Sequence, residues 1–256
     1  MRQLGPLGLG PLLASPVDTD MFGTFSRDIP RLDSQAETLI AKARAGLAAV
    51  PEADFAIASE GAFGPHPGFP FAAGGLELVG LVERDSGEAI IGRDLSPDTN
   101  FAHRVIADAP SAERFAADIG FPEHGLVAMT PDGGTILAKG LTELPAFRRL
   151  VRRALADHGA LWLESDMRAH RNPTRMRAIG RAAADLATRL RARCPGCGFP
   201  DWIGRARHGR PCAWCRSPTL DGWSREYRCR RCGESACEHP DPERLAEPAH
   251  CPQCNP

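Results

Sequence analysis

Eight cysteines in the last quarter of the chain stand in pairs with two residues between partners: Cys194 and Cys197, Cys212 and Cys215, Cys229 and Cys232, Cys251 and Cys254. A ninth, Cys237, stands alone, and the 193 residues before Cys194 contain none. A two-residue gap lets one tight turn offer two sulfurs to one metal, and two such turns complete the thiolate tetrahedron that zinc prefers. The first two pairs are 14 residues apart and the last two 18, within the usual ribbon spacing. The pattern predicts two structural zinc ions. Sequential pairing is the simpler arrangement; a cross-brace, joining the first pair to the third, uses the same residues. Four thiolates per ion leave no open position for catalysis. A disulfide framework would not usually repeat this pair four times, and the chain has no secretory leader or membrane-length apolar run, so the expected compartment is the reducing cytoplasm.

A second set of chemically capable residues is scattered through the first three quarters. Asp18, Asp20 and Glu60 are carboxylates of the kind a magnesium ion takes beside a phosphate. Asp166 and Arg168, followed by Asn172, Pro173 and Arg175, put an acid at a strand end and then arginines at a helix N-terminus, an arrangement that suits an anion. His66 is fixed between Pro65 and Pro67. Each has a plainer reading as a turn cap, an ion pair or a salt-bridged strand–helix junction. No phosphate-binding glycine loop, nucleophile elbow or dinucleotide fingerprint accompanies them.

Several elements must position these groups. Ser34 and Glu37 form a capping box for a helix over 34–50, with Leu39, Ile40, Ala43 and Leu47 on one face. A buried strand over 54–59 ends at Glu60-Gly61, followed by a rigid loop through His66. Hairpins are expected over 76–92 and 125–139, and helices over 111–120 and 145–158, the latter closed by Gly159. A short strand covers 160–165. Asn172 and Pro173 start a helix with an apolar stripe of Met176, Ile179, Ala183, Leu186 and Leu190. The order predicts an α/β or α+β fold, a mixed sheet with flanking helices over 1–193, then a tandem zinc-ribbon module over 194–256.

Net charge is −1, unevenly placed. Residues 1–165 hold 14 basic and 22 acidic side chains; residues 166–256 hold 17 and 10. Eight zinc-bound thiolates bring the basic part down to about +3. Arg205, Arg207, Arg210, Arg228, Arg230 and Arg231 surround the cysteines, with Trp202, Trp214, Trp223 and Tyr227 among them. They suit a nucleic acid or protein partner, or they cover small metal cores.

Asp18-Thr19-Asp20-x-Phe22-Gly23-Thr24-Phe25-Ser26, Ala58-Ser59-Glu60-Gly61-x-Phe63-Gly64-Pro65-His66-Pro67, Asp166-Met167-Arg168-Ala169 and Asn172-Pro173-Thr174-Arg175-Met176 together resemble a bacterial family of unknown function, whose members also end in four such cysteine pairs. A shorter run, Glu37-Thr38, Lys42-Ala43-Arg44, Pro51-Glu52-Ala53-Asp54-Phe55 and Glu60-Gly61, is similar to house-cleaning nucleotide pyrophosphatases of the inosine/xanthosine triphosphatase type. That resemblance implies a magnesium ion at Glu60, phosphates near Lys42 or Arg44, and a phosphorylated small molecule as substrate. It also implies that the first strand and its lysine-bearing loop are lacking, because residues 1–15 supply neither.

Overall fold

The computed structural model describes residues 10–23 and 33–256. The chain divides into two compact units, 1–187 and 188–256. In chain order the first unit holds α1 (Gln35–Ala49), β1 (Phe55–His66), β2 (Phe69–Glu83), β3 (Ala89–Ser96), β4 (His103–Ile106), α2 (Ala109–Asp118), β5 (Leu126–Met129), β6 (Ile136–Leu141), α3 (Leu144–His158), β7 (Leu161–Ser165) and most of α4 (Pro173–Arg191). Its sheets are β1-β2-β3 and β4-β7-β5-β6. Every described strand pair is antiparallel, so the helix-and-sheet class expected takes its α+β form, with two separate sheets in place of one mixed sheet.

The helix signals work as their chemistry requires. At α1 the Ser34 hydroxyl accepts from the Glu37 amide, and the Glu37 carboxylate accepts from the Ser34 amide. Gly159 closes α3 in the left-handed region at φ 73°, where a side chain would be strained. The Asn172 side chain accepts from the Arg175 amide at 2.9 Å, satisfying one of the open donors at the start of α4.

Helix α1 lies on the β1–β2 hairpin, with Ala43, Leu47 and Val82 in its core. The four-stranded sheet is covered on one face by α2 and α3, burying Ile106, Phe115, Leu126, Phe147, Val151, Leu161 and Leu163. Each large side chain so buried contributes about 1.5–3 kcal/mol.

Two expectations are corrected here. Strand β1 does not stop at Ser59; it runs on through Glu60 to His66, so the expected rigid loop is the far half of a hairpin. The glycines there make room for partners on the neighbouring strand or helix. A Cβ on Gly75 would lie 3.0 Å from the Phe63 ring, and one on Gly74 2.9 Å from His66. The buried stripe of α4 keeps Ala183 and Leu186 of the expected one but departs from it at the start of the helix. Arg175, Ala178, Ala182 and Leu186 are buried, while Met176 is 50% exposed. Small alanines let the helix backbone sit directly on Gly92 of β3, and Arg175 is buried because it has an acid to meet.

In the second unit β8 (Arg205–His208), β9 (Gly222–Arg228) and β10 (Ser235–Glu238) form an antiparallel sheet in the order β10-β9-β8.

Candidate functional site

The eight paired cysteines form two quartets, and the pairs are interleaved. Cys194 and Cys197 gather with Cys229 and Cys232; Cys212 and Cys215 gather with Cys251 and Cys254. The cross-brace is therefore the arrangement adopted, not the simpler sequential one. The sulfurs of each quartet lie within 4.8 Å of one another. Cys194 to Cys232 is 3.7 Å, Cys197 to Cys229 3.6 Å, Cys212 to Cys254 3.9 Å and Cys215 to Cys251 3.6 Å. Sulfurs 2.3 Å from a tetrahedral metal stand about 3.8 Å apart.

The turns repeat. The amides of Gly198, Arg216, Gly233 and Asn255 donate back to the carbonyls of Cys194, Cys212, Cys229 and Cys251. Gly198, Arg216 and Gly233 have positive φ, which swings the chain out of each knuckle. Backbone amides of Cys232 and Arg231 hold the Cys229 thiol down to about 6, and Ser217 does the same for Cys215, also to about 6. In the same quartets the neighbouring thiols push Cys232 and Cys254 the other way, to about 12, so without a metal the sulfurs share protons among themselves. Four sulfurs placed in this way can hold a soft divalent cation with no coordination position left over. Cys237 belongs to neither quartet; its sulfur is 3.6 Å from His239 Nε2.

In the first unit the expected acids and arginines are used on each other. Along β1 successive side chains point to opposite faces. Glu60 therefore faces α1, where Lys42 Nζ donates to it at 2.6 Å. Gly61 faces α4. A Cβ there would lie 2.6 Å from Glu77 Oε1 and 2.8 Å from Arg175 Nη2. Arg175 Nε donates to Glu77 at 2.7 Å, and its Nη1 donates to the Met167 carbonyl at 2.6 Å. Their side chains are 6% and 0% exposed, so each charge depends on the other. Burial lifts the Glu77 carboxyl above its ordinary range, Arg175 pulling the other way. Asp166 is gripped by Arg168 through Nε and Nη2, the latter at 2.6 Å.

The structure thus brings Asp166, Arg168 and Arg175 to one junction, with Glu60 on the other face of its sheet. His66 sits at the tip of the β1–β2 hairpin against Phe69. Asp18 is exposed just before a short turn over Thr19–Phe22 that contains Asp20. Thr24, Phe25 and Ser26 lie outside the described residues. Glu77, Gly61 and Arg171 were not singled out by the sequence reading. The available signal was an acid at an inward position of the apolar run Leu76-Glu77-Leu78-Val79.

Next to the junction runs an aromatic line. Phe63 stacks on Phe101 at 6.0 Å, Phe101 meets His103 at 6.0 Å, and His103 stacks on Trp162 at 4.7 Å. Trp162 donates to Glu164 at 3.1 Å. Among the described residues no carboxylates or histidines gather in threes as a metal site; only the two cysteine quartets do. No helix among them is long and apolar enough to cross a membrane.

These features define an α+β protein with a C-terminal module organised by two interleaved four-cysteine sites. A family described as a domain of unknown function, DUF6671, matches residues 45–256, and the chain belongs to it. No curated protein and no solved structure matches the chain.

Proposed function

We propose that the chain is a two-zinc adaptor whose metals are structural and whose second unit docks on a partner protein. The observation that carries this reading is the use of charge in the first unit. Glu60 holds Lys42, Glu77 holds Arg175 and Asp166 holds Arg168, so these acids are occupied by the protein's own cations.

A protein partner fits the second unit better than a nucleic acid. Trp202 is stacked on Tyr227, Arg207 pairs with Glu226, and Arg210 donates to the carbonyls of Gly222, Asp241 and Arg244. Beside exposed arginines such as Arg205 and Arg228, the module turns outward two large apolar side chains: Trp214, 77% exposed on its knuckle, and Leu220, 73% exposed. Nine free thiols, eight of them gathered for metal, suit a reducing bacterial cytoplasm.

Purified protein should carry two zinc ions and Cys237→Ser two, while Cys212→Ser should lose the ion of its own quartet and hold the other more weakly, because each site orders a loop of the other. An oligonucleotide titration should show no affinity that falls steeply with salt. The second reading is magnesium-dependent hydrolysis of a phosphorylated small molecule or nucleotide, supported by the arginines of the 166–175 junction. Magnesium-dependent phosphate release from a nucleotide panel, abolished by Glu60→Gln, would replace the adaptor reading with that one.

A further inference from the structure

Helix α3 carries charge of the opposite sign to the sequence around it. Residues 1–165 hold 22 acidic and 14 basic side chains, yet four of those 14 crowd into six positions: Arg148, Arg149, Arg152 and Arg153. All four are exposed. Arg148 Nε donates to Glu113 of α2 at 2.8 Å, and Arg153 Nε to Asp157 at 3.4 Å. Arg149 and Arg152 make no ion pair or hydrogen bond with the described residues. Arg148 with Arg152, and Arg149 with Arg153, are like charges four residues apart, an arrangement that weakens a helix standing alone. Carboxylates from outside the chain relieve it.

The same arginines border an opening. Where α2 and α3 begin, the two helices leave a slot of about 220 Å³ between them. Its walls are the exposed Ala109 and Glu113 of α2 and Arg148 and Arg152 of α3. Its bottom is closed by Ala112, Phe147 and Val151, each 2% exposed or less. The slot exists because position 109 carries only a methyl group; a longer side chain there would fill it from the rim. Its volume falls below the range of about 300–1,000 Å³ usual for small-molecule sites. It has room for one apolar side chain.

The geometry points to a docking site for an acidic peptide of a partner protein, which seats one large apolar side chain in the slot and lays its carboxylates over Arg149 and Arg152. The surroundings select among anionic partners. A nucleic acid would bring its phosphates past Glu113 and Asp157 and leave the slot empty. A lipid surface takes apolar side chains that insert, and across α2 and α3 Leu144 alone is large, apolar and exposed. A peptide uses both features at once: its anchor fills the slot, and its acids complement the arginines. The site goes beyond the adaptor reading. It lies in the first unit, uses none of the metal module, and gives the protein a second docking face.

The probe is a displayed library of random short peptides, selected on the full, metal-loaded chain. The peptides enriched should share one Leu, Met or Phe with Asp or Glu beside it. Binding of the best of them, synthesised and followed by fluorescence anisotropy, should weaken as salt is added. Arg152→Glu, at an exposed position with no internal partner, should weaken it about tenfold or more. Ala109→Leu, which fills the slot from its exposed wall, should do the same while the melting temperature holds. Trp214→Ala in the second unit should leave the peptide's affinity unchanged, which separates this site from the docking proposed for that unit. A selection that yields no such consensus overturns the proposal, and so does unchanged affinity in Arg152→Glu or Ala109→Leu. Loss of the peptide in Trp214→Ala moves it to the other unit and overturns the site. An oligonucleotide or a phosphatidylserine vesicle that displaces the peptide and is itself insensitive to Ala109→Leu overturns the assignment to a peptide.

Discussion

The pair of Arg175 and Glu77 shows how much rests on one missing side chain. Gly61 faces it from the neighbouring strand, and a methyl group would press on both charged groups at under 3 Å. Neither has solvent to retreat into. Gly61→Ala should therefore cost about 3 kcal/mol, the scale of breaking a buried ion pair, as read from urea denaturation of the first unit. Glu77 also predicts a pH dependence. Burial, the largest influence, raises its carboxyl pKa, with Arg175 opposing. A raised acid holds its proton more readily in the folded chain than in the unfolded one. Its contribution to stability is then fullest below the ordinary glutamate value of about 4.3 and declines as pH rises through the folded value. The stability of the wild type relative to Glu77→Gln should fall over that rise. A difference that grows with pH would show that Arg175, not burial, governs the group. In the sequence, Arg175 is legible as an arginine at a helix start; its partner 98 positions away is not. An isolated acid in an apolar strand gives no sign of which cation will cover it.

At the scale of elements, the caps were legible and the faces less so. Ser34 with Glu37, Asn172 with Pro173, and Gly159 each fix a helix end through groups at most four residues apart, so local sequence is enough. The face that α4 buries is decided by β3. Its backbone packs so closely on Gly92 that a Cβ there would lie 2.2 Å from Leu186 N and 2.4 Å from Ala182 O. Backbone cannot rotate away as a side chain can, so Gly92→Ala should cost at least about 3 kcal/mol. Gly180, in the same helix, has no atom within 4 Å of such a Cβ. Gly180→Ala should stabilise the helix by about 0.5–1 kcal/mol. The two opposite signs, measured as melting temperatures, separate close packing from helix propensity; a stabilising Gly92→Ala would displace α4 from its place on β3. The β1–β2 hairpin was hidden for a related reason. Gly61, Gly64, Gly74 and Gly75 look like loop residues in one dimension, and only the register, with Phe63 opposite Gly75, shows them as strand positions.

For the molecule as a whole, the decisive feature is the interleaving of the cysteine pairs. Their spacing picked out the eight cysteines that gather into quartets but not their grouping, because either arrangement uses the same four turns. The interleaved one links segments far apart in the chain: residues 197–229 close one loop, 215–251 another, and each loop contains a knuckle of the other site. Two sequential ribbons would be separate beads. Here neither site is complete until the chain has passed Cys229, and losing one loosens the loop that carries half of the other. In a metal module of this size binding and folding are one process, so the two sites should load together. A chain ending at Ser224 keeps Cys194, Cys197, Cys212 and Cys215, which is one whole site if pairing is sequential and two halves if it is interleaved. After dialysis against a weak chelator such a chain should retain no zinc, measured by mass spectrometry under native conditions. One ion held tightly per chain would overturn the interleaved arrangement. Zinc titrated into the full metal-free chain should in turn give mostly empty and doubly loaded species, because the first ion orders the loop that the second requires.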